Sequence, residues 1–254
     1  HIPTNGDALI AQLIAGPTND WRKIDGRSQR ENISLSDYQS FFSALPVVLQ
    51  KKITDRWGTP EADLFYRPGK LDCGHFVVPV LRLGNVAVCI QPARGYNVDP
   101  RASYHDPDLP PTHAYLAFHA WVRYSFCADA VVHMGKHGNL EWLPGKALAL
   151  SSACFPEAAL GPVPNVYPFI VNDPGEGTQA KRRAGAVIID HLTPPLTRAE
   201  SYGPLRDLEC LVDEYFDASG LDPRRLKVLA TDILSLCRTT GLDADCGINP
   251  SDAE

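Results

Sequence analysis

The sequence lacks the features that mark several common classes of protein. No uninterrupted apolar run approaches the roughly 20 residues that a membrane-spanning helix requires, and no signal peptide is visible. Basic residues are not in excess, and the formal net charge of −6 gives no positive field for nucleic acid. These absences predict a cytoplasmic protein that binds neither nucleic acid nor a membrane.

The seven cysteines do not form a disulfide or zinc pattern. Their number is odd, and none stands in a C-x-x-C pair. Several of them lie inside apolar runs, as Cys89 does between Val88 and Ile90. We therefore predict reduced, mostly buried thiols. The sequence also shows no internal repeat.

The order of apolar patterns predicts an α/β fold. The hydrophobic fraction of 44% allows a sizeable core. Helical spacing of apolar residues dominates positions 1–75, apart from a polar, loop-like stretch at 19–33. From residue 76 onward strand-like runs mostly alternate with helical ones, which predicts a largely parallel sheet with flanking helices. The strand-like runs are 76–80, 86–90, 130–132, 166–171 and 187–189. The run 86–90 is apolar throughout, which predicts a strand covered on both faces. Thr112 and Asp222-Pro223 predict helix starts, Gly241 predicts a helix end, and the small residues of 147–165 predict a connection. We predict a mainly helical segment over 1–75, packing on or leading into the sheet, and an α/β region over 76–254 that carries the site.

Several strand-like runs end in polar or titratable residues. These are Gln91, His133, Asn172 with Asp173, and Asp190 with His191. Ligands of parallel sheets bind beyond the carboxyl ends of the strands, so one shared cleft is predicted there. The long stretch 91–111 after Gln91 is either functional or a surface excursion, and the two interpretations have equal weight.

Residues 133–146 carry the densest chemistry in the chain. His133, His137 and Glu141 are spaced i, i+4, i+8, which on a helix would place them on one face, as in zinc hydrolases. However, Gly135 and Gly138 disfavour a helix, and the H-E-x-x-H pattern is absent. Each residue alone has a structural explanation, such as a core tryptophan at Trp142. Together, behind one apolar run, they predict a functional site.

Two further patterns bear on this site: the absence of a phosphate-loop motif and a predicted helix start at Asp173-Pro174. The segment is not a phosphate loop, because Gly145-Lys146 is followed by an alanine. Asp173-Pro174 predicts a helix start, where free N–H groups can bind an anion or Glu176 can add a second carboxylate. Lys181 and Arg182 on this helix are predicted to meet acidic substrate groups. Arg183 is predicted to be an ordinary surface residue.

These motifs carry a resemblance to a known family. Residues 133–146 resemble the core motif of the large subunit of ATP-dependent cobaltochelatase, which is related to the magnesium chelatase H subunit. Residues 84–96, 172–183 and 192–195 resemble further motifs of that family. Trp142-Leu143 stands where the magnesium branch has a phenylalanine–methionine pair, which favours the cobalt branch. Because the family's large subunits are far longer, the chain is expected to be a fragment of the catalytic region, inactive when isolated.

The resemblance implies an activity and roles for individual residues. The activity is insertion of Co²⁺, as the substrate metal, into a corrin precursor, hydrogenobyrinic acid a,c-diamide, for cobalamin biosynthesis. The expected partners are the rest of the parent subunit, an AAA+ ATPase that uses ATP and Mg²⁺, and its companion chelatase subunit. Glu141 is the expected base or metal ligand, with His133 and His137 as further metal ligands or proton acceptors. The residues predicted to bind the macrocycle are Gln91, Arg94, Tyr96, Lys136, Asn139, Trp142, Asn172, Glu176, Lys181, Arg182 and His191.

Two alternative functions remain open from the sequence. The chain could be a tetrapyrrole-binding module of a magnesium-chelatase-type H subunit, with the chemistry elsewhere in its parent protein. The spacing of His133, His137 and Glu141 also leaves a stand-alone zinc hydrolase as a third hypothesis.

Overall fold

The computed structural model describes residues 3–25, 27, 31–69, 74–96, 106–169, 174–190, 201–219 and 222–245. The chain divides into two units, residues 1–192 and 193–254. The elements of the first unit are α1 (Gly6–Ala15), β1 (Glu31–Ser34), α2 (Leu35–Ser43), α3 (Val47–Trp57), β2 (Tyr66–Arg67), β3 (His75–Val78), β4 (Val80–Leu83), β5 (Val86–Cys89), α4 (His113–Ala120), β6 (Val131–Val132), α5 (Phe155–Leu160), β7 (Asn165–Pro168), α6 (Pro174–Arg183) and β8 (Val187–Ile189). The second unit contains α7 (Pro204–Ala218), α8 (Pro223–Thr240) and α9 (Leu242–Asp245). The division predicted after residue 75 stays a prediction.

The strands form three small sheets. Strands β6, β7 and β8 are parallel, in that order, whereas β1-β3-β2 and β4-β5 are antiparallel. The predicted α/β class, with a parallel sheet and a helical N-terminal segment, is confirmed. The strands before residue 90 do not join the parallel sheet, because the two residues Gly84-Asn85 connect β4 to β5 and so short a connection makes a hairpin. Val86 is accordingly 60% exposed, so the prediction that its strand is covered on both faces is wrong.

One hydrophobic core joins the N-terminal helices to the elements that follow them. Tyr38 of α2, Phe76 of β3 and Trp121 after α4 are fully buried in this core. The loop predicted at 19–33 contains the start of β1, which pairs with β3 and buries Ile33. The connection predicted at 147–165 contains α5, whose Phe155 also lies in the core.

The parallel sheet positions the functional segment. Val131 and Val132 of β6 pair with Asn165 and Val166 of β7, and the backbone N–H of His133 donates to Val166 O at 2.8 Å. Helix α6 covers the face of the sheet that carries Tyr167 and Phe169. Because parallel strands end at the same edge, residues 133–146 and the start of α6 meet beyond that edge.

The second unit follows its predicted helix signals. Asp222 Oδ1 accepts the backbone N–H groups of Arg224 (3.0 Å) and Arg225 (3.1 Å) at the start of α8. Gly241 ends α8 with a φ of 78°, a conformation that favours glycine. The predicted start and stop of this helix are confirmed. None of the described helices is both long and apolar enough to span a bilayer.

The described cysteines differ in burial. Cys89, Cys127, Cys154, Cys210 and Cys237 are free thiols. Cys154 and Cys237 are buried, whereas Cys127 and Cys210 are exposed. The prediction of mostly buried thiols is therefore wrong for the latter two.

Buried His119 on α4 predicts an acid-sensitive stability. Its Nδ1–H donates to Tyr115 O at 3.0 Å, and burial lowers the pKa of the imidazole from 6.5 to about 4. A pKa that is lower in the folded state stabilises the fold above pH 6.5, and this stability is lost as the pH falls towards 4. The shift predicts a loss of about 3 kcal/mol between these limits.

Urea denaturation of the chain at pH 7 and at pH 4 measures this loss. In the variant His119→Asn the amide replaces Nδ1–H as donor but does not titrate, so its stability is expected to fall less over the same range. If the free energy of unfolding falls by the same amount between pH 7 and pH 4 in both proteins, the role of His119 is contradicted.

Candidate active site

Residues 133–146 border a cavity of about 440 Å³. The segment leaves β6, forms an isolated bridge from Gly135 to Phe169, and ends in a 3₁₀ turn at Leu140–Trp142. It does not form the helix that a shared His/His/Glu face would require. The cavity is lined by Arg94, Pro107, His137, Gly138, Asn139, Trp142, Leu143, Pro144, Gly145, Glu176 and Arg183.

Glu176, in the first turn of α6, lies near the side chains of His137 and Lys136. Its Oε2 lies 3.4 Å from His137 Nε2, and its Oε1 lies 3.8 Å from Lys136 Nζ. A carboxylate and an imidazole therefore lie together in the cavity wall, with an ammonium group beside them. Trp142, which is 37% exposed, provides an aromatic part of the wall.

Glu141 is placed differently from Glu176. It is only 1% exposed, and it is not among the cavity-lining residues. Its Oε1 accepts the backbone N–H of Gly138 at 2.8 Å, and the hydroxyl of Tyr167 donates to its carboxylate. Burial, together with the charge of Glu141, raises the pKa of Tyr167 well above its ordinary value. The buried carboxylate thus stabilises the turn at Gly138 from the side that faces away from the cavity.

Residues 91 and 92, which follow β5, hydrogen-bond to Asn139 of the segment 133–146. Gln91 Oε1 accepts the backbone N–H of Asn139 at 2.9 Å, and Asn139 Nδ2 donates to Pro92 O at 3.1 Å. A Cβ on Gly138 would lie 2.7 Å from Gln91 Oε1. A larger residue at position 138 would therefore displace the end of the Gln91 side chain, which accepts the hydrogen bond from the Asn139 N–H.

His133 faces a second cavity of about 360 Å³, between β5, α4 and β6. Asn165 Nδ2 donates to Ala184 O at 3.0 Å, which turns Asn165 Oδ1 towards His133 Nδ1, 2.8 Å away. His133 Nδ1 consequently carries the proton, and the amide of Gln91 faces Nε2 at 3.4 Å. The His133 ring also stacks on Tyr167, with 5.2 Å between ring centroids.

The three predicted metal ligands therefore have different surroundings. His137 faces the first cavity, His133 the second, and Glu141 is enclosed. Within the described residues, no group of three or more His, Cys, Asp or Glu side chains is arranged to hold a metal ion. The predicted ligand set of His133, His137 and Glu141 stays a prediction.

Arg183 is a site residue that the sequence analysis missed. Its guanidinium donates to three carbonyl oxygens, those of Glu141 (2.6 Å), Leu143 (2.8 Å) and Lys146 (3.1 Å). Burial lowers the pKa of Arg183 below its usual value. Nothing in the sequence distinguishes it from Lys181 and Arg182, which are both exposed.

Two other predicted residues, Tyr96 and Arg94, contact buried or cavity-lining parts of the structure. Tyr96 donates its hydroxyl to the buried Asp63 and packs edge-on against Trp57, outside the cavity lining. Burial raises the pKa of both Tyr96 and Asp63. Arg94 is buried, lines the cavity and donates to Asp106 O. The predicted contacts of Asn172 and His191 lie outside the described residues.

The chain matches one family model along its whole length. The model is described as CobN/Magnesium Chelatase and matches residues 1–254. The aerobic cobaltochelatase subunit CobN of Sinorhizobium sp is 63% identical over 254 residues, which are 100% of this chain and 19% of that protein. The CobN subunit of Pseudomonas aeruginosa is 55% identical over 251 residues, 99% of this chain and 20% of that protein.

A more distant relative and a solved structure agree with this match. The chloroplastic magnesium-chelatase subunit ChlH of Oryza sativa subsp. indica is 32% identical over 246 residues, 96% of this chain and 17% of that protein. The solved catalytic subunit of cobaltochelatase from Mycobacterium tuberculosis is 46% identical with a TM-score of 0.65, over 96% of this chain and 20% of that chain. The chain spans about a fifth of the length of the curated relatives it matches. The match to the family model over all 254 residues shows that the chain belongs to the CobN/magnesium chelatase family.

Proposed function

We propose that this chain is part of the catalytic region of a cobaltochelatase large subunit, where it binds a corrin precursor and takes part in Co²⁺ insertion. The observation that carries this proposal is the cavity formed by residues 137–145 together with α6. It offers an exposed tryptophan for a flat macrocycle, and the carboxylate and imidazole of Glu176 and His137 for metal and proton chemistry. The similarity to CobN subunits supports cobalt as the substrate metal.

The proposed substrate is hydrogenobyrinic acid a,c-diamide. Arg94 and Lys136 supply positive charge for its carboxylates at or beside the cavity. ATP and Mg²⁺ act on an AAA+ partner with its companion chelatase subunit, and the chain's lack of a phosphate loop agrees with this division of labour. The isolated chain is expected to be inactive, and the assembled enzyme to work in the cytoplasm.

Reconstitution tests the proposed activity. The full-length parent subunit, combined with its ATPase partners, Mg-ATP and Co²⁺, is expected to shift the absorbance spectrum of hydrogenobyrinic acid a,c-diamide to that of the cobalt corrin. The same mixture is expected to leave a porphyrin supplied with Mg²⁺ unchanged. Magnesium insertion without cobalt insertion would contradict the proposal and assign the chain to a magnesium chelatase.

The separate surroundings of His133, His137 and Glu141 favour a second candidate, a tetrapyrrole-binding module whose chemistry lies elsewhere in the parent protein. In that case tetrapyrrole binding and metal insertion would both survive the combined replacement of the three side chains. Loss of insertion with binding retained would exclude this candidate.

A further inference from the structure

Tyr167 of β7 contacts two of the three predicted ligands, Glu141 and His133. It is 1% exposed and lines neither of the two cavities described above. Its hydroxyl donates to the carboxylate of Glu141. Its ring stacks on the imidazole of His133, with 5.2 Å between the ring centroids and 24° between the ring planes. One buried side chain therefore joins the enclosed carboxylate to the imidazole of the second cavity.

We propose that Tyr167 is a positioning residue for cobalt insertion, which holds Glu141 with its hydroxyl and His133 with its ring. This inference rests on the proposed function. Because the side chain of Tyr167 is enclosed, it acts on the reaction through the two residues that it contacts and not through the substrate.

The carboxylate of Glu141 is held by donors from two different segments. Its Oε1 accepts the backbone N–H of Gly138 at 2.8 Å, and the hydroxyl of Tyr167 reaches it from β7. Hydrogen bonds to a carboxylate are stronger than those between neutral groups, and two of them from separate segments fix its orientation. Since Glu141 is 1% exposed, bulk water does not readily replace a donor that is lost.

The hydroxyl of Tyr167 remains a donor at neutral pH. Burial, together with the charge of Glu141, raises the pKa of Tyr167 well above its ordinary value. A protonated phenol has a single O–H group, and here that group is directed to Glu141. Tyr167 therefore orients the carboxylate without itself transferring a proton.

His133 is held from a second side by Asn165, which stands two residues before Tyr167 and so on the same face of β7. Asn165 Oδ1 accepts the Nδ1–H of His133 at 2.8 Å. The stacked ring of Tyr167 holds the plane of the same imidazole. An imidazole fixed at one nitrogen and across its plane keeps its other nitrogen, Nε2, in one direction.

Strand β7 gives Tyr167 a rigid base. It is the middle strand of the parallel sheet, and Tyr167 itself pairs with Ile188 of β8. Groups that stand on strands are held more precisely than groups on loops. The segment 133–146 is largely irregular and contains Gly135 and Gly138, so contacts from β7 supply a rigidity that the segment lacks.

The variant Tyr167→Phe of the full-length subunit, assembled with its partners, tests the inference because it removes the hydroxyl and keeps the ring. We expect kcat for cobalt insertion to fall by about 10-fold or more, as is typical when a group that orients a metal ligand is lost, whereas KM and Kd for hydrogenobyrinic acid a,c-diamide change by less than about 3-fold. Tyr167→Leu also removes the stacked ring and is expected to lose more kcat than Tyr167→Phe.

Tyr115→Phe is the matched control. Tyr115 is another fully buried tyrosine, and within the described part of the chain its hydroxyl has no hydrogen-bond partner. This variant is expected to keep kcat to within about 2-fold of the wild type, because no hydrogen bond is lost. Equal losses in Tyr115→Phe and Tyr167→Phe would show a general effect of removing a buried hydroxyl and would overturn the assignment.

The remaining outcomes separate this inference from the proposed function. If the wild type itself inserts no cobalt, the proposed function fails and the inference falls with it. If the wild type is active but Tyr167→Phe keeps more than about a tenth of kcat, Tyr167 is not a positioning residue. A rise in KM with kcat unchanged would show that Tyr167 serves substrate binding instead, and would also overturn the assignment.

A double-variant comparison tests the contact with Glu141 independently of activity. Tyr167→Phe is expected to lower the urea midpoint of the chain. Glu141→Met removes the acceptor and fills its volume, so in that background the shift caused by Tyr167→Phe is expected to disappear or reverse. An undiminished shift would show that the hydroxyl acts independently of Glu141, which would contradict the proposed link.

Discussion

Replacing Glu141 with alanine is expected to lower the free energy of unfolding by about 3–5 kcal/mol. The change removes a buried carboxylate and leaves the Gly138 N–H and the Tyr167 hydroxyl without their acceptor. Hydrogen bonds to charged groups contribute about 1.5–3 kcal/mol each, and the two donors are left in a site that water does not reach freely. Urea denaturation followed by tryptophan fluorescence measures the loss.

Glu141→Gln is the matched variant for this experiment. It keeps one oxygen for the Gly138 N–H, so the expected loss is about 1–2 kcal/mol. Equal losses in the alanine and glutamine variants would show that the negative charge, and not the acceptor position, stabilises the turn. A loss below about 1 kcal/mol in the alanine variant would contradict the buried hydrogen bonds seen here.

Replacing Arg183 with alanine is expected to cost about 2–4 kcal/mol of unfolding free energy. The guanidinium ties the last turn of α6 to three carbonyl oxygens between residues 141 and 146. Its removal leaves these acceptors to whatever water can enter the cavity, at about 1–3 kcal/mol for each one that stays unsatisfied. The cavity wall is also expected to loosen, which limited proteolysis within residues 141–146 would detect.

Two variants of α6 show whether this effect belongs to Arg183 in particular. Arg182→Ala removes the exposed neighbouring charge and is expected to change stability by less than about 0.5 kcal/mol. Arg183→Lys keeps the positive charge but cannot reproduce the planar fork, so it is expected to resemble the alanine variant more than the wild type. Full stability of Arg183→Lys would mean that charge alone holds the segment.

Much of the fold followed from local patterns. The strands at 131–132 and 187–189, the helix after Thr112 and the caps of α8 were all predicted, because periodicity and capping depend on residues a few positions apart. The pairing of the strands before residue 90 was not predicted correctly. Apolar runs at 76–80 and 86–90 are compatible with a parallel or an antiparallel sheet. The short turn at Gly84 makes the pairing of β4 with β5 antiparallel.

In the candidate site, too, local features could be predicted from the sequence and side-chain directions could not. The density of chemistry in residues 133–146 was visible in the sequence, as was its place after an apolar strand. The direction of each side chain was not visible. Spacing made His133, His137 and Glu141 look like one group, but Gly135 and Gly138 let the backbone turn and send the three side chains into different surroundings.

The family, the α/β class and the segment that carries the chemistry can be recognised from the sequence, because all three are encoded in neighbouring residues. Which side chains meet in the cavity depends instead on how distant segments pack together. Glu176 lies 39 residues after His137 yet faces it, and Arg183 of α6 reaches carbonyl oxygens that Lys181 and Arg182 do not. Packing explains both contacts, because α6 lies with one face on the parallel sheet and thereby turns a second face to the cavity and a third to solvent.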